Sequence, residues 1–149
     1  KRSGGRCGIV NGAGQIRLRW YTSLRDMFSR TQKNFWAIVG RFDAARLVAI
    51  AFLLLGVAWL PWVLLPLAST APAQALAGLA AVLMVVASVS NAAWLARRLL
   101  PAAFPPIGLT LVAAMMLSAA WTGRRIGGIR WRDTFYSSEA LLEGRVVDL

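Results

Sequence analysis

The sequence predicts a mainly α-helical membrane protein, in which a β-hairpin and an amphipathic interface helix precede about three transmembrane helices and a short mixed tail. Hydrophobic residues make up 58% of the 149 residues and charged residues only 15%, whereas a soluble domain is about 45–50% apolar and about 25% charged. Residues 47–96 and 99–123 contain no charged residue at all. Uncharged runs of this length are typical of segments that are solvated by lipid.

The composition also excludes several classes of protein. Disorder is excluded for most of the chain, because disordered segments lack apolar residues. The chain has no histidine and a single cysteine, Cys7. It therefore contains no disulfide framework, no zinc site of the usual His/Cys kind, and no Ser-His-Asp or Cys-His nucleophile system.

The basic head of the chain is predicted to begin with a β-hairpin. An Asn-Gly pair at 11–12 is a strong turn signal between two runs that carry apolar residues. In the second run polar and apolar residues alternate, which places Arg17 and Arg19 on one face and Trp20 on the other. That face is either a solvated strand surface or a site for phosphate or anionic headgroups, which the planar guanidinium suits.

An amphipathic helix is predicted to follow, because the four residues from Ser23 to Asp26 resemble a capping box. Apolar residues then recur at helical spacing among cations, as in helices that lie in a membrane interface. The alternative is a helix packed on a soluble domain. The candidate interface residues are Arg25, Arg30, Lys33, Phe35 and Trp36.

The uncharged middle of the chain predicts two full transmembrane helices and a third, shorter one of 17 residues. The positive-inside rule places the basic head, which has a net charge of +8 over residues 1–46, on the cytoplasmic side together with Arg97 and Arg98. A third full span would put Arg124 and Arg125 outside, against the rule. Either the rule fails here, or the third segment is re-entrant, or one segment is miscounted.

The tail is predicted to contain a short strand after Gly127 and Gly128 and a helical turn that ends at Gly144. Arg130, Trp131 and Arg132 are candidate site residues in this strand. They and the aromatic residues beside them either stack on a sugar or nucleotide or hold the tail against a partner domain.

The order of these pieces resembles the C-terminal portion of a membrane-bound family 2 (GT-A type) glycosyltransferase. The residues that carry the resemblance are Lys1 to Arg6, Gly12 to Arg25, Lys33 to Phe35, and Gly128 to Tyr136. Related processive enzymes carry a Gln-x-x-Arg-Trp motif. This chain has Arg19 and Trp20 with Gln15 one residue too far upstream, so only the Arg-Trp pair is transferable.

The sequence patterns divide the chain into a β-hairpin segment (1–22), an interface helix (23–42), transmembrane helices (47–69 and 74–95), a third transmembrane or re-entrant segment (105–121), and a C-terminal tail (123–149). The resemblance identifies the first segment as the end of a catalytic domain. It implies sugar transfer from a nucleotide-sugar to a lipid-type acceptor. The metal-binding and catalytic acidic motifs, and a divalent Mg or Mn ion, would belong to a missing part upstream. This chain would then supply no catalytic residue and no metal ligand, and would be inactive alone.

The implied location is a bacterial inner membrane with the basic head cytoplasmic. Because the chain starts at Lys1 rather than Met, a fragment or processed piece is expected. The competing function is a small stand-alone integral membrane protein that acts as an anchor or assembly subunit. A transporter is disfavoured, because transporters need ionisable residues within their transmembrane segments and these segments have none. Nucleic-acid binding is also disfavoured, because a basic head that lies beside a bilayer explains the net charge of +11 better.

Overall fold

The computed structural model describes residues 21–131 and 134–144, and these residues are mostly helical. The elements, in chain order, are α1 (Leu24–Asn34), a π-helical turn (Phe35–Val39), α2 (Ala44–Leu67), α3 (Ala71–Trp94), a 3₁₀ turn (Leu100–Ala103), α4 (Pro105–Ile126), β1 (Gly128–Trp131), β2 (Thr134–Ser137) and α5 (Ser138–Glu143). The hairpin predicted before residue 21 lies outside the described residues.

Helix α1 starts where the capping signal predicts. The Ser23 hydroxyl oxygen accepts a hydrogen bond from the backbone N–H of Asp26 at 3.1 Å. The Asp26 carboxylate in turn accepts from the backbone N–H of Thr22 at 3.0 Å. The first bond satisfies a donor that the first turn of a helix otherwise leaves without a partner, and the second ties the residue before the cap to the helix.

The interface helix was predicted to run to residue 42, but the helical conformation ends at Val39. Arg41 and Phe42 have positive φ angles of 52° and 65°, and the chain reverses there. The Asp43 carboxylate then caps α2 by accepting from the backbone N–H of Ala45 at 2.8 Å. A short reversal and a new cap therefore separate α1 from the first apolar helix.

Helices α2 and α3 form an antiparallel pair joined by a turn of three residues at 68–70. Their 24-residue lengths and bounds agree closely with the two predicted spans. A Cβ on Gly78 would lie 3.5 Å from Cδ1 of Leu65, so the two helices approach closely near the turn. The other end of α3 therefore lies toward the start of α2.

Helix α4 runs antiparallel to α2 and hence parallel to α3. At its start, Phe104 packs edge-on against Trp62 with ring centroids 5.1 Å apart. The Trp59 indole N–H donates to the Thr110 hydroxyl at 2.8 Å. The last turns of α4 lie instead beside Trp36, which precedes α2. Residues 95–104, which include the 3₁₀ turn, return the chain toward the start of α4.

Helix α4 is longer than the predicted third segment. It has 22 residues rather than 17 and ends at Ile126, where Gly127 adopts a left-handed conformation with φ 71°. Its length is about 33 Å at 1.5 Å per residue. The helix is therefore long enough to span the apolar thickness of a bilayer without the local thinning that 17 residues would require.

The tail folds back as an antiparallel hairpin followed by a short helix. In the hairpin Gly128 pairs with Ser137 and Trp131 with Thr134. The Ser137 hydroxyl then caps α5 by accepting from the backbone N–H of Ala140 at 3.2 Å. The first strand and the helix were predicted, whereas the second strand was not.

The core is small and consists mostly of alanine. Its members come from the π-helical turn, α2 and α4: Trp36, Leu47, Ala51, Ala113, Met116, Ala119 and Ala120. Small residues of this kind let apolar helices pack closely in a membrane. Many large apolar side chains point outward instead, and three helices, α2, α3 and α4, are long and apolar enough to cross a membrane.

Candidate functional site at the cationic end of the helices

The cations that flank the three apolar helices lie at one end of the bundle. Because α2 runs opposite to α3 and α4, the start of α2 lies at the same end as the last turns of the other two helices. The cations at these three helix ends are Arg41, Arg46, Arg97, Arg98, Arg124 and Arg125. The turn at 68–70 and the start of α4 carry no charged residue.

Trp36 joins three segments at this end. Its side chain is 5% exposed and packs where Gly123 of α4 leaves space, because a Cβ on Gly123 would overlap the indole ring. The indole N–H donates to the hydroxyl of Ser138 in α5 at 3.2 Å. The ring of Phe42 meets it edge-on, with centroids 6.4 Å apart. The π-helical turn thus connects α1, α4 and the tail.

Helix α1 lies along the C-terminal half of α4 and is held there by polar contacts. The Gln32 side-chain amide donates to the Ser118 hydroxyl at 3.1 Å. The Thr31 hydroxyl lies 3.5 Å from the sulfur of Met115 and also donates to the backbone carbonyl of Met27 at 2.6 Å. No residue of α1 is buried, so most of its cationic surface stays accessible.

A cavity of about 350 Å³ opens between α1, the last turns of α4 and strand β1. Its base is formed by Trp36, Ala119 and Gly123, and Ile126 and Ile129 line its apolar side. The polar side chains that line it are Ser29, Arg30, Gln32, Lys33, Thr122 and Arg130. The volume is at the lower end of the range for ligand pockets, about 300–1,000 Å³.

One carboxylate lies beside this cavity without lining it. Asp26 forms an ion pair with Arg30 one helical turn away. The backbone N–H of Thr22, followed by the Arg30 guanidinium, lowers the pKa of the Asp26 carboxyl below its usual value. Asp26 therefore stays ionised at neutral pH and orients Arg30 along the edge of the cavity.

The structure brings together four of the candidate residues predicted from the sequence. Arg30, Lys33 and Arg130 line the cavity and Trp36 forms part of its base. Arg25 is exposed on α1 and Phe35 is half-buried at the start of the π-helical turn. Trp36 was predicted as an interface residue, but it is buried against α4.

The remaining candidates lie elsewhere or outside the described residues. Trp131 is the last residue of β1. Arg17, Arg19, Trp20 and Arg132 fall where the structure describes nothing. Sequence reasoning missed Gly123 and Ser138, the two partners of Trp36. Gly123 lies at the end of an apolar run, next to an Arg pair. The only sequence signal for its contact with Trp36 is the absence of a side chain, which lets another group approach the helix closely.

A second cavity of about 330 Å³ lies between α2 and α3 and is apolar. It is lined by Trp62, Leu65 and Gly78 together with alanine and valine side chains of α3. The buried indole nitrogen of Trp62 has no hydrogen-bond partner in the part of the chain that the structure describes. The lining supplies no side chain that could carry out acid-base or nucleophilic chemistry.

Over residues 21–131 and 134–144, no group of three His, Cys, Asp or Glu side chains is arranged to hold a metal ion. No protein-family profile, curated protein or solved structure matches this chain.

Proposed function

We propose that this chain is the membrane-anchoring and acceptor-side part of a family 2 glycosyltransferase, which moves a sugar from a nucleotide-sugar to a lipid-type acceptor. The proposal rests on the resemblance of the head and tail segments to such enzymes. It is supported by three apolar helices that suit a bilayer and by the cationic end at which the described head and tail segments meet.

Trp36 forms a joint with Gly123 of α4 and Ser138 of α5, and the proposal uses the position of this joint. It fixes α1 and the tail against the last turns of α4, at the end of the bundle where the cations cluster. A catalytic domain that precedes α1 would therefore be held at one membrane surface. Under the positive-inside rule that surface is cytoplasmic, and in the proposal the membrane is a bacterial inner membrane.

The cations at this end would add electrostatic attachment to the anionic leaflet. Each Lys or Arg near such a surface contributes about 1 kcal/mol, while the apolar helices make insertion effectively permanent. In the proposed enzyme Arg19 would neutralise the diphosphate leaving group, as preorganised cations do in other sites. The metal and the catalytic base would be held by acidic motifs upstream of Lys1.

Sugar transfer by the longer protein tests the proposal directly. We expect Arg19→Ala to lower transfer from a nucleotide-sugar to membrane lipid strongly while the protein stays membrane-integrated. Arg98→Ala, which removes an equal charge after α3, should leave transfer unchanged. If Arg19→Ala and Arg98→Ala transfer sugar at equal rates, Arg19 is not part of the proposed site.

The coding frame upstream of Lys1 provides an independent test. An open frame with an Asp-x-Asp motif and then a Glu/Asp-Asp motif supports the transferase. A start codon next to Lys1 would instead favour a small stand-alone anchor or assembly subunit. One observation suits that second function: Trp36 finds its partners on α4 and α5 within this chain, so the joint needs no further domain.

A further inference from the structure

We propose that the cavity between α1, α4 and β1 binds the phosphate group of one anionic phospholipid, taken from the leaflet at the cationic end of the bundle. This inference requires the bilayer placement proposed above but not the transferase assignment. The bound lipid would be a structural ligand rather than the sugar acceptor.

The chemistry of the lining selects an anion. Arg30, Lys33 and Arg130 line the cavity from two different elements, and no carboxylate lines it in the part of the chain described. Guanidinium groups match phosphate oxygens with two parallel hydrogen bonds, and an ammonium adds a point charge. Hydroxyl and amide groups of Ser29, Gln32 and Thr122 supply further donors.

Arg30 remains suited to this role although it pairs with Asp26. The contact with Asp26 uses Nε of Arg30, and a guanidinium carries four further N–H donors on its two terminal nitrogens. Its side chain is 64% exposed. Asp26 therefore orients the guanidinium and leaves most of its donors for a ligand.

The apolar part of the same cavity favours a lipid over a free phosphate ion. Ile126 lines the cavity and is also 44% exposed on the outer surface of α4. Trp121, five residues earlier, is 73% exposed, as expected for an aromatic residue at the level of the headgroups. A phosphate in the cavity can thus keep its acyl chains along the apolar surface of α4. Basic pockets beside transmembrane helices bind anionic headgroups in this manner.

Native mass spectrometry of the full chain, released from vesicles of equal parts phosphatidylglycerol and phosphatidylcholine, tests the inference. We expect the unaltered chain to retain one phosphatidylglycerol in clear excess over phosphatidylcholine. The cavity variant Lys33→Gln/Arg130→Gln should lose this occupancy by about tenfold or more, because two charge-assisted contacts are removed. Arg46→Gln/Arg98→Gln removes the same charge from exposed positions outside the cavity and should keep the lipid.

Three outcomes would overturn the inference while leaving the bilayer placement intact. Equal retention of the two lipids by the unaltered chain excludes anion selection and needs no variant. Equal losses in the two double variants, with unchanged helicity by circular dichroism, would show that only bulk charge attracts the lipid. Displacement of the lipid by millimolar inorganic phosphate would assign the cavity to a soluble phosphate. Loss of the unaltered chain from carbonate-washed membranes would instead contradict the bilayer placement.

Discussion

The indole of Trp36 occupies the space that Gly123 leaves on the surface of α4, although 87 residues separate the two in the chain. No side chain larger than hydrogen fits at 123 without moving this ring. The pair sets the position of α1 relative to the apolar helices, and the hydrogen bond from Trp36 to Ser138 extends the joint to the tail.

The first prediction concerns this pair. Gly123→Ala should destabilise the folded chain by about 1–3 kcal/mol, because the added methyl group overpacks the joint. Reversible unfolding in mixed detergent micelles measures the change. The matched control is Gly108→Ala in the same helix, where a Cβ meets nothing within 4 Å. That variant should be neutral or more stable by up to about 1 kcal/mol, since alanine favours helix. Equal effects of the two variants would contradict the prediction.

A second prediction concerns the hydrogen bond between Trp36 and Ser138. Trp36→Phe and Ser138→Ala each remove one partner and should speed amide hydrogen exchange over residues 134–144. Because the two groups form one bond, the double variant should be about 0.5–1.5 kcal/mol less destabilised than the sum of the single variants. Additive effects would show that the tail is held by other contacts.

The helices themselves could be predicted from the sequence. Long uncharged runs define α2 and α3, and Pro72 marks the break between them from within the first turn of α3. The Ser23 cap and the Gly144 end of α5 follow from local chemistry that acts within one turn. In each case the physical cause lies within a few residues of the element that it determines.

The joint and the direction of α4 could not be predicted, because their causes lie far apart in the chain. Trp36 finds Ser138 across 102 residues, and no periodicity encodes such a pair. The direction of α4 depends on the return of residues 95–104 and on the contact of Phe104 with Trp62. An uncharged run predicts the length of a helix but not its direction. From the sequence, the side of the membrane on which Arg124 and Arg125 lie therefore stayed open among three alternatives.

A third prediction concerns pH. The backbone N–H of Thr22 and then Arg30 lower the pKa of the Asp26 carboxyl below 3.8. Because the pKa is lower in the folded state, this carboxylate stabilises α1 above about pH 3.8, and the stabilisation is lost as the pH falls through the folded value. Asp26→Asn should therefore speed exchange of the first-turn amides of α1 at pH 7, but not well below pH 3.8.

Ser23→Ala provides the control for this prediction. It removes the other capping bond, from the backbone N–H of Asp26 to the Ser23 hydroxyl, and no titrating group is lost. Its effect on hydrogen exchange should be similar at both pH values. A pH-independent effect of Asp26→Asn would show that the carboxylate charge contributes nothing to the cap.

The last prediction concerns the side of the membrane on which each arginine pair lies. Because α3 and α4 run in the same direction, Arg98 and Arg125 should face the same aqueous compartment, and the turn at Ser69 the opposite one. In a Cys7→Ser background, Arg98→Cys and Arg125→Cys should react with an impermeant maleimide from the same side of sealed vesicles. Ser69→Cys should react only from the other side.

This arrangement requires residues 95–104 to re-enter the apolar layer, where exposed backbone polar groups are costly. Some of these backbone groups have hydrogen-bond partners within the segment, since the N–H groups of Ala102 and Ala103 both donate to the carbonyl of Leu99, at 3.0 and 3.1 Å. It also packs on α3 and α4. Labelling of Arg98→Cys and Arg125→Cys from opposite sides would contradict the re-entrant path and would mean that α4 crosses the membrane against the positive-inside rule.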